Sequence, residues 1–179
     1  VMWQQKEQIK GLLAGRLSDG ILPQTVEEFV ERLDEPKPFE RVLVASPLMH
    51  AAGMYAAINA LFHGGHVVVT DNAERFNAAR HWELVATYKV DALGLIGDAI
   101  AKLLLDALET DSFDGSSLRL IASSGALWSR EVKLGILKHL PQLTLYDSLG
   151  SSEAQRIGVY MMTADRESPT SKFKIRDDC

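Results

Sequence analysis

Cysteine is almost absent from this chain: among 179 residues the only one is the last, Cys179. An internal disulfide is therefore excluded, as is a metal site built from clustered thiolates. Long apolar runs are missing too, since none approaches the roughly 18 residues of a membrane span. Positive charge is scarce: 19 lysines and arginines stand against 24 aspartates and glutamates, for a formal net charge of -5. A nucleic-acid partner ordinarily leaves a basic stripe, and here the basic residues are scattered, so none is expected. The first residues lack the charged start and apolar middle of a signal peptide. A cytoplasmic location fits the cysteine count.

What is present is ordinary for a globular chain, with 46% hydrophobic and 24% charged residues and enough length for a buried core. The chain opens on Val1 without a methionine and closes on Asp177-Asp178-Cys179 with no evident stop to its pattern. Both ends read as cuts through a longer protein.

Apolar spacing predicts a helix from Gln4 to Arg16, then a loop from Gly15 to Pro23. A short helix is expected from Val26 to Leu33, with Val26, Phe29, Val30 and Leu33 turned inward and Thr25 and Glu28 as a capping box. The prolines of Glu35-Pro36-Lys37-Pro38 end it. From there short, unalternating apolar runs take over: 41–46, 66–70, 92–96, 118–122 and 143–146. Runs of this kind suit strands covered on both faces. Amphipathic helices fill the gaps at 54–62, 76–88, 99–108 and 131–140. The alternation implies an α/β fold, a layered and mostly parallel sheet flanked by helices.

Ligands of such sheets gather beyond the carboxyl ends of the strands. Four of those ends stand out: 46–53, 97–99, 123–127 and 147–153. In the last, Gly150, Ser151 and Ser152 can turn backbone N–H groups toward an anion, and Glu153 offers an oxygen that suits magnesium. A polar loop with a helix cap would read the same way. Ser123, Ser124, Gly125 and Ala126 are small enough for a flat ring to lie on the main chain, or simply for a tight turn. His50 follows a strand directly, yet a lone histidine is more often structural, and Asp98 is also placed to cap a helix. His63, His66, His81 and His139 read as structural or solvated, and Trp3, Trp82 and Trp128 as packing residues.

Taken in order, these segments resemble the large N-terminal domain of adenylate-forming enzymes, which include acyl-CoA synthetases, luciferases and peptide-synthetase adenylation domains. Pro47-Leu48-Met49-His50 is similar to that family's Pro-Leu-aromatic-His segment. Residues 113–119 resemble the stretch leading to its adenine-contacting strand. Ser123-Ser124-Gly125-Ala126 is similar to its Ser-Gly-Gly-Ala turn, and Gly150-Ser151-Ser152-Glu153 to its Gly-Ser-Thr-Glu signature. Gly97-Asp98-Ala99 and the form of 147–153 resemble the branch acting on long-chain or sterol side-chain acids.

The resemblance implies part of an acyl-CoA synthetase, which joins a carboxylic acid to ATP as acyl-adenylate and then to coenzyme A. It implies catalytic roles for Ser152, Glu153 and His50, with Glu153 holding magnesium. It implies nucleotide contacts from Ser124, Gly125, Ala126, Asp147, Ser148, Leu149, Gly150 and Ser151. Acyl contacts are implied for His50, Ala51, Gly53, Met54, Gly97 and Asp98. Residues 1–40 become a helical lead-in, 41–160 the acyl- and adenylate-binding core, and 161–179 a tail leading onward. Departures are Leu149, where many members have an aromatic, Ser152 for threonine, and Leu127-Trp128 for Pro-Leu. The family's phosphate loop, ribose-binding aspartate and C-terminal lysine have no counterpart here, so the isolated chain is expected to be inactive and to self-associate through uncovered apolar surface. The alternatives are a non-enzymatic α/β module and, on Gly150-Ser151-Ser152-Glu153-Ala154, an α/β-hydrolase whose required later histidine is missing. A nicotinamide dehydrogenase would need a Gly-x-Gly-x-x-Gly turn that is not present.

Overall fold

The computed structural model describes residues 2, 4, 5, 23–32, 39–71, 75–151, 155–166 and 173–175. The helix expected at 4–16 lies outside them apart from Gln4 and Gln5, as do Leu33 and the prolines that follow it. In chain order the elements are α1 (Val26–Arg32), β1 (Arg41–Val44), α2 (Ala51–Phe62), β2 (His66–Val68), α3 (Ala78–Tyr88) and β3 (Ala92–Leu95). Then come α4 (Gly97–Thr110), β4 (Leu120–Ser124), α5 (Arg130–His139), β5 (Thr144–Ser151), β6 (Gln155–Met162) and β7 (Lys174–Ile175). They build one sheet in the order β2-β1-β3-β4-β5-β6-β7. The first five in that order run parallel, and β6 and β7 are antiparallel to their neighbours. The mostly parallel, helix-flanked sheet read from the sequence is therefore the fold that forms.

Side chains alternate across the strands, so each strand feeds two layers. Leu43, Leu93, Leu95, Ile121 and Leu145 point into the larger core, where helices α3, α4 and α5 contribute Trp82, Leu104 and Ile136. Trp82 is fully buried and its indole N–H donates to the Leu104 carbonyl at 3.0 Å, which satisfies the one polar atom it carries inward. Burying each large apolar side chain in this layer contributes about 1.5–3 kcal/mol. On the opposite face Val42, Val44 and Ala92 meet Ala60 of α2. That helix comes close because Gly53 has no side chain: a Cβ there would stand 2.5 Å from the Pro47 carbonyl oxygen.

The two edges of the sheet are held differently. At the amino edge Asp91 accepts the Glu40 N–H at 2.7 Å and the Arg41 N–H at 3.0 Å, tying the start of β1 to that of β3. At α1 the Thr25 hydroxyl accepts the Glu28 N–H at 3.2 Å, while the Glu28 carboxylate takes the Gln24 N–H at 2.6 Å rather than that of Thr25. Among the described residues of the inward face expected for α1, Val26 and Val30 are 72% and 55% exposed, and Phe29 alone docks, edge-on to Phe62.

Several boundaries differ from the sequence reading. Helix α2 begins at Ala51 rather than Met54, and α4 begins at Gly97. Strand β4 runs two residues later than expected, because the Leu118 N–H closes a turn on the Gly115 carbonyl and parallel pairing continues to Ser124. Strand β5 extends to Ser151 and pairs with β6, a strand not anticipated at all.

One ion pair lies inside the larger core. Lys133 of α5 is 1% exposed, and its ammonium meets Asp147 Oδ2 of β5 at 2.8 Å. Removing one member of a buried pair strands the other charge in a poor solvent. Lys133→Met is therefore expected to destabilise the chain by about 3–5 kcal/mol, read as a lower denaturant midpoint at unchanged slope.

Candidate functional site

Parallel pairing brings the carboxyl ends of β1, β3, β4 and β5 to one edge in that spatial order. Strands about 4.8 Å apart place the end of β5 roughly 14 Å from that of β1. The chain leaves β1 toward β2 on one side while β3 lies on the other, and the crevice of such a sheet opens where strand order reverses.

The exit of β4 has the most distinctive backbone. Gly125 sits at φ +84°, a conformation that side chains resist, and an added Cβ would meet nothing within 4 Å. The turn thus offers open main chain, with Ala126 and Leu127 also exposed. It is fixed from the side by the start of α4. The Gly97 N–H donates to the Ser123 hydroxyl at 2.9 Å, and the Asp98 N–H to the Leu127 carbonyl at 2.9 Å. Asp98 Oδ1 in turn accepts the Ser129 N–H at 2.8 Å. Gly97 permits this approach, since at φ +47° a Cβ would lie 2.5 Å from the Leu127 oxygen.

Asp98 and Gly97, read from the sequence as acyl contacts, are thereby engaged in holding the β4 turn, and Asp98 does not cap its own helix through its side chain. Lys102 Nζ lies 3.3 Å from Asp98 Oδ2. Partial burial pushes the Asp98 carboxyl upward, but hydrogen bonds from Ser129 and Lys102 outweigh it, and the group titrates below the ordinary aspartate range.

At the end of β1 the His50 N–H donates to the Pro47 carbonyl at 3.0 Å. His50 precedes α2 with an exposed side chain that makes no capping bond. Ala51 is exposed and Met54 half-buried, while Gly53 is buried against the Ser46 and Pro47 carbonyls. His50, Ala51 and Met54 thus share the edge with the β4 turn, and Gly53 serves the packing beneath it.

At β5 the outcome differs from the expected phosphate-cradling loop. Residues 147–151 are extended and paired with β6, with a register shift between Leu149 and Gly150. Backbone committed to a hairpin ladder is not free to curl around an anion. Asp147 points into the core toward Lys133, whereas Ser148 lies beside the β4 turn, its hydroxyl 3.4 Å from the Ser123 carbonyl. Leu149 is 44% exposed next to them, followed by exposed Gly150 and Ser151. Ser152 and Glu153 lie outside the described residues. Among the described residues no three His, Cys, Asp or Glu side chains gather to hold a metal. Sequence reasoning missed the Asp98 clamp and the partner of Lys133; the one available signal was a lysine among the apolar positions Val132, Ile136 and Leu137 of α5.

Residues 21–175 match the AMP-binding enzyme family. The chain belongs to it. A medium/long-chain-fatty-acid–CoA/3-oxocholest-4-en-26-oate–CoA ligase of Mycobacterium tuberculosis is 33% identical over 166 residues, 92% of this chain and 30% of that protein. A 3-oxocholest-4-en-26-oate–CoA ligase of Rhodococcus rhodochrous is 35% identical over 113 residues, 60% of this chain and 20% of the relative. Among solved structures, a variant amide bond synthetase of Marinactinospora thermotolerans superposes with a TM-score of 0.59 at 25% identity, covering 72% of this chain and 24% of that one. The chain thus spans about 30% of the length of its mycobacterial relative. Family membership sets aside the hydrolase and dehydrogenase alternatives.

The Asp98 clamp gives a signed expectation. Asp98→Ala removes the acceptor of the Ser129 N–H and should cost about 1–2 kcal/mol, whereas Asp98→Asn keeps an acceptor and should cost less. Because the folded carboxyl titrates low, its contribution is full above the unfolded aspartate value near about 3.9 and fades as pH falls through the lower folded value. Thermal melts from pH 7 to pH 2 should show the gap between the wild-type chain and Asp98→Ala narrowing only at the acid end.

Proposed function

We propose that this chain supplies the adenine-facing turn and one wall of the acid site in an enzyme that activates a carboxylic acid with ATP for transfer to coenzyme A. The observation that carries this reading is Gly125, whose positive φ and open surface present bare main chain at the carboxyl edge, clamped by Gly97 and Asp98. A flat base can lie there with Ser124 and Ala126 beside it and Ser148 and Leu149 along the next strand. Leu149 offers dispersion contact in place of stacking. His50, Ala51 and Met54, beyond β1, would line the carboxylate end. The names of the relatives favour a fatty or sterol side-chain acid, and cytoplasmic placement belongs to the same reading.

In the first half-reaction a carboxylate oxygen attacks the α-phosphorus of ATP, forming the acyl–phosphate bond as pyrophosphate leaves with the electrons of the broken P–O bond. In the second, the thiolate sulfur of coenzyme A attacks the acyl carbon and AMP leaves. Both steps depend on alignment and on neutralising phosphate charge. The described residues contribute alignment. Neutralisation is assigned to Ser152 at the α-phosphate and Glu153 at magnesium, both outside the described residues. Magnesium would balance phosphate charge; Asp147, the described carboxylate nearest in sequence, is occupied by Lys133 and does not extend that set.

Calorimetric titration with a non-hydrolysable acyl-sulfamoyl adenosine tests the reading. Saturable binding is expected, abolished by Gly125→Trp, which fills the space above the turn, and only weakened by Gly125→Ala, which adds backbone strain with little bulk. A folded chain that fails to bind, alone and with the flanking sequence restored, would overturn the assignment. The chain alone should give no thioester above a protein-free control. Its uncovered apolar surface should also make light-scattering mass rise with concentration, and a strict monomer would refute that part.

A further inference from the structure

The ammonium of Lys133 is buried at the meeting point of three elements that surround the β4 turn. It pairs with Asp147 of β5 at 2.8 Å. It also lies 5.2 Å from the ring centroid of Trp128, in the loop that follows Gly125, and 4.8 Å from that of Tyr160 on β6. Both distances fall inside the range in which an aromatic face attracts a cation. The indole N–H of Trp128 and the hydroxyl of Tyr160 are buried with no hydrogen-bond partner among the described residues. The rings are therefore held by their faces and not by their polar tips. A buried charge and two unsatisfied donors all oppose folding, so general stabilisation does not explain the arrangement. What it does achieve is directional: Trp128 is 1% exposed between exposed Leu127 and the clamped Ser129, and its ring is fixed to the strand that carries Ser148 and Leu149.

We propose that Lys133 is a positioning residue for the nucleotide turn, its ammonium locking the Trp128 ring, and with it the 125–129 loop, to β5 and β6. The role rests on the adenylate reading above but is tested separately from it. Asp98 and Ser129 report on the loop, because their amides make the clamp bonds to Leu127 and Asp98.

The experiment compares the wild-type chain with Lys133→Met/Asp147→Leu, which replaces the pair by apolar groups and removes the stranded charge, and with Trp128→Leu, which keeps the pair and deletes the ring. Thermal stability, amide exchange and affinity for the acyl-sulfamoyl adenosine are read on each. The double variant should melt near the wild type, yet its Asp98 and Ser129 amides should exchange at least about tenfold faster while those of Leu93 and Ile121 stay protected. Trp128→Leu should show the same local loss, and both should bind the probe about tenfold more weakly, a difference of 1.4 kcal/mol. Wild-type exchange at Asp98 and Ser129 in either variant would overturn the proposal. So would a double variant that does not fold, since the pair would then serve the core as a whole. If the wild-type chain fails to bind the probe, alone and with the flanking sequence restored, but the exchange pattern holds, the adenylate reading fails and the positioning of the 125–129 loop stands.

Discussion

The geometry of the sheet's carboxyl edge depends on one close approach, that of Gly97 to the backbone of Ala126 and Leu127. With a Cβ at 2.5 Å from the Leu127 oxygen the two loops could not meet. Because they do meet, the Asp98 N–H reaches the Leu127 carbonyl and the Asp98 carboxylate reaches the Ser129 N–H. Two bonds on either side of Trp128 then fix the loop that Gly125 begins. The order of cause runs from a missing side chain, through backbone proximity, to a turn whose open face is rigidly aimed.

The two edges of the sheet are held by different means. At the amino edge Asp91 receives two backbone N–H groups and Arg119 lies 3.4 Å away, while Gly64 and Lys89 turn the chain at positive φ just before β2 and β3. At the carboxyl edge Gly97 and Gly125 adopt positive φ, and two buried donors beside Lys133 have no partner among the described residues. Locally unfavourable features persist only where the surrounding structure over-determines them. Here the core beneath, from Leu93 to Leu145, supplies that support.

Much of this was legible in the sequence because parallel strands buried on both faces leave continuous apolar runs, as at Val42-Leu43-Val44. The helices α3 and α5 fell within two residues of their expected ends because their apolar residues recur at the helical period. Strand β6 was invisible because its run from Ile157 to Met162 follows a polar stretch that resembles a loop motif, and pairing to β5 is a tertiary fact. The small residues at 123–126 announced a turn, but not that Gly97 would clamp it, since the contact joins positions about thirty residues apart. Exposed Val26 and Val30 show the converse limit: apolar spacing marks a face that can be buried without saying what covers it.

Two carboxylates that sequence reading assigned to ligands, Asp98 and Asp147, are paired with Lys102 and Lys133. This matters for the nucleotide site proposed above. The chain carries a net charge of -5, and an uncompensated carboxylate near a phosphate would oppose binding by Coulomb repulsion poorly screened at a protein edge. Pairing each aspartate with its own lysine compensates these two charges while keeping the hydrogen-bonding capacity that shapes the turn. A neutral amide at 98 could make the Ser129 bond but not the ion pair with Lys102, so the charged form secures both loop and helix at once. The aspartates near the candidate site thus act as internal fasteners, compensated where they stand.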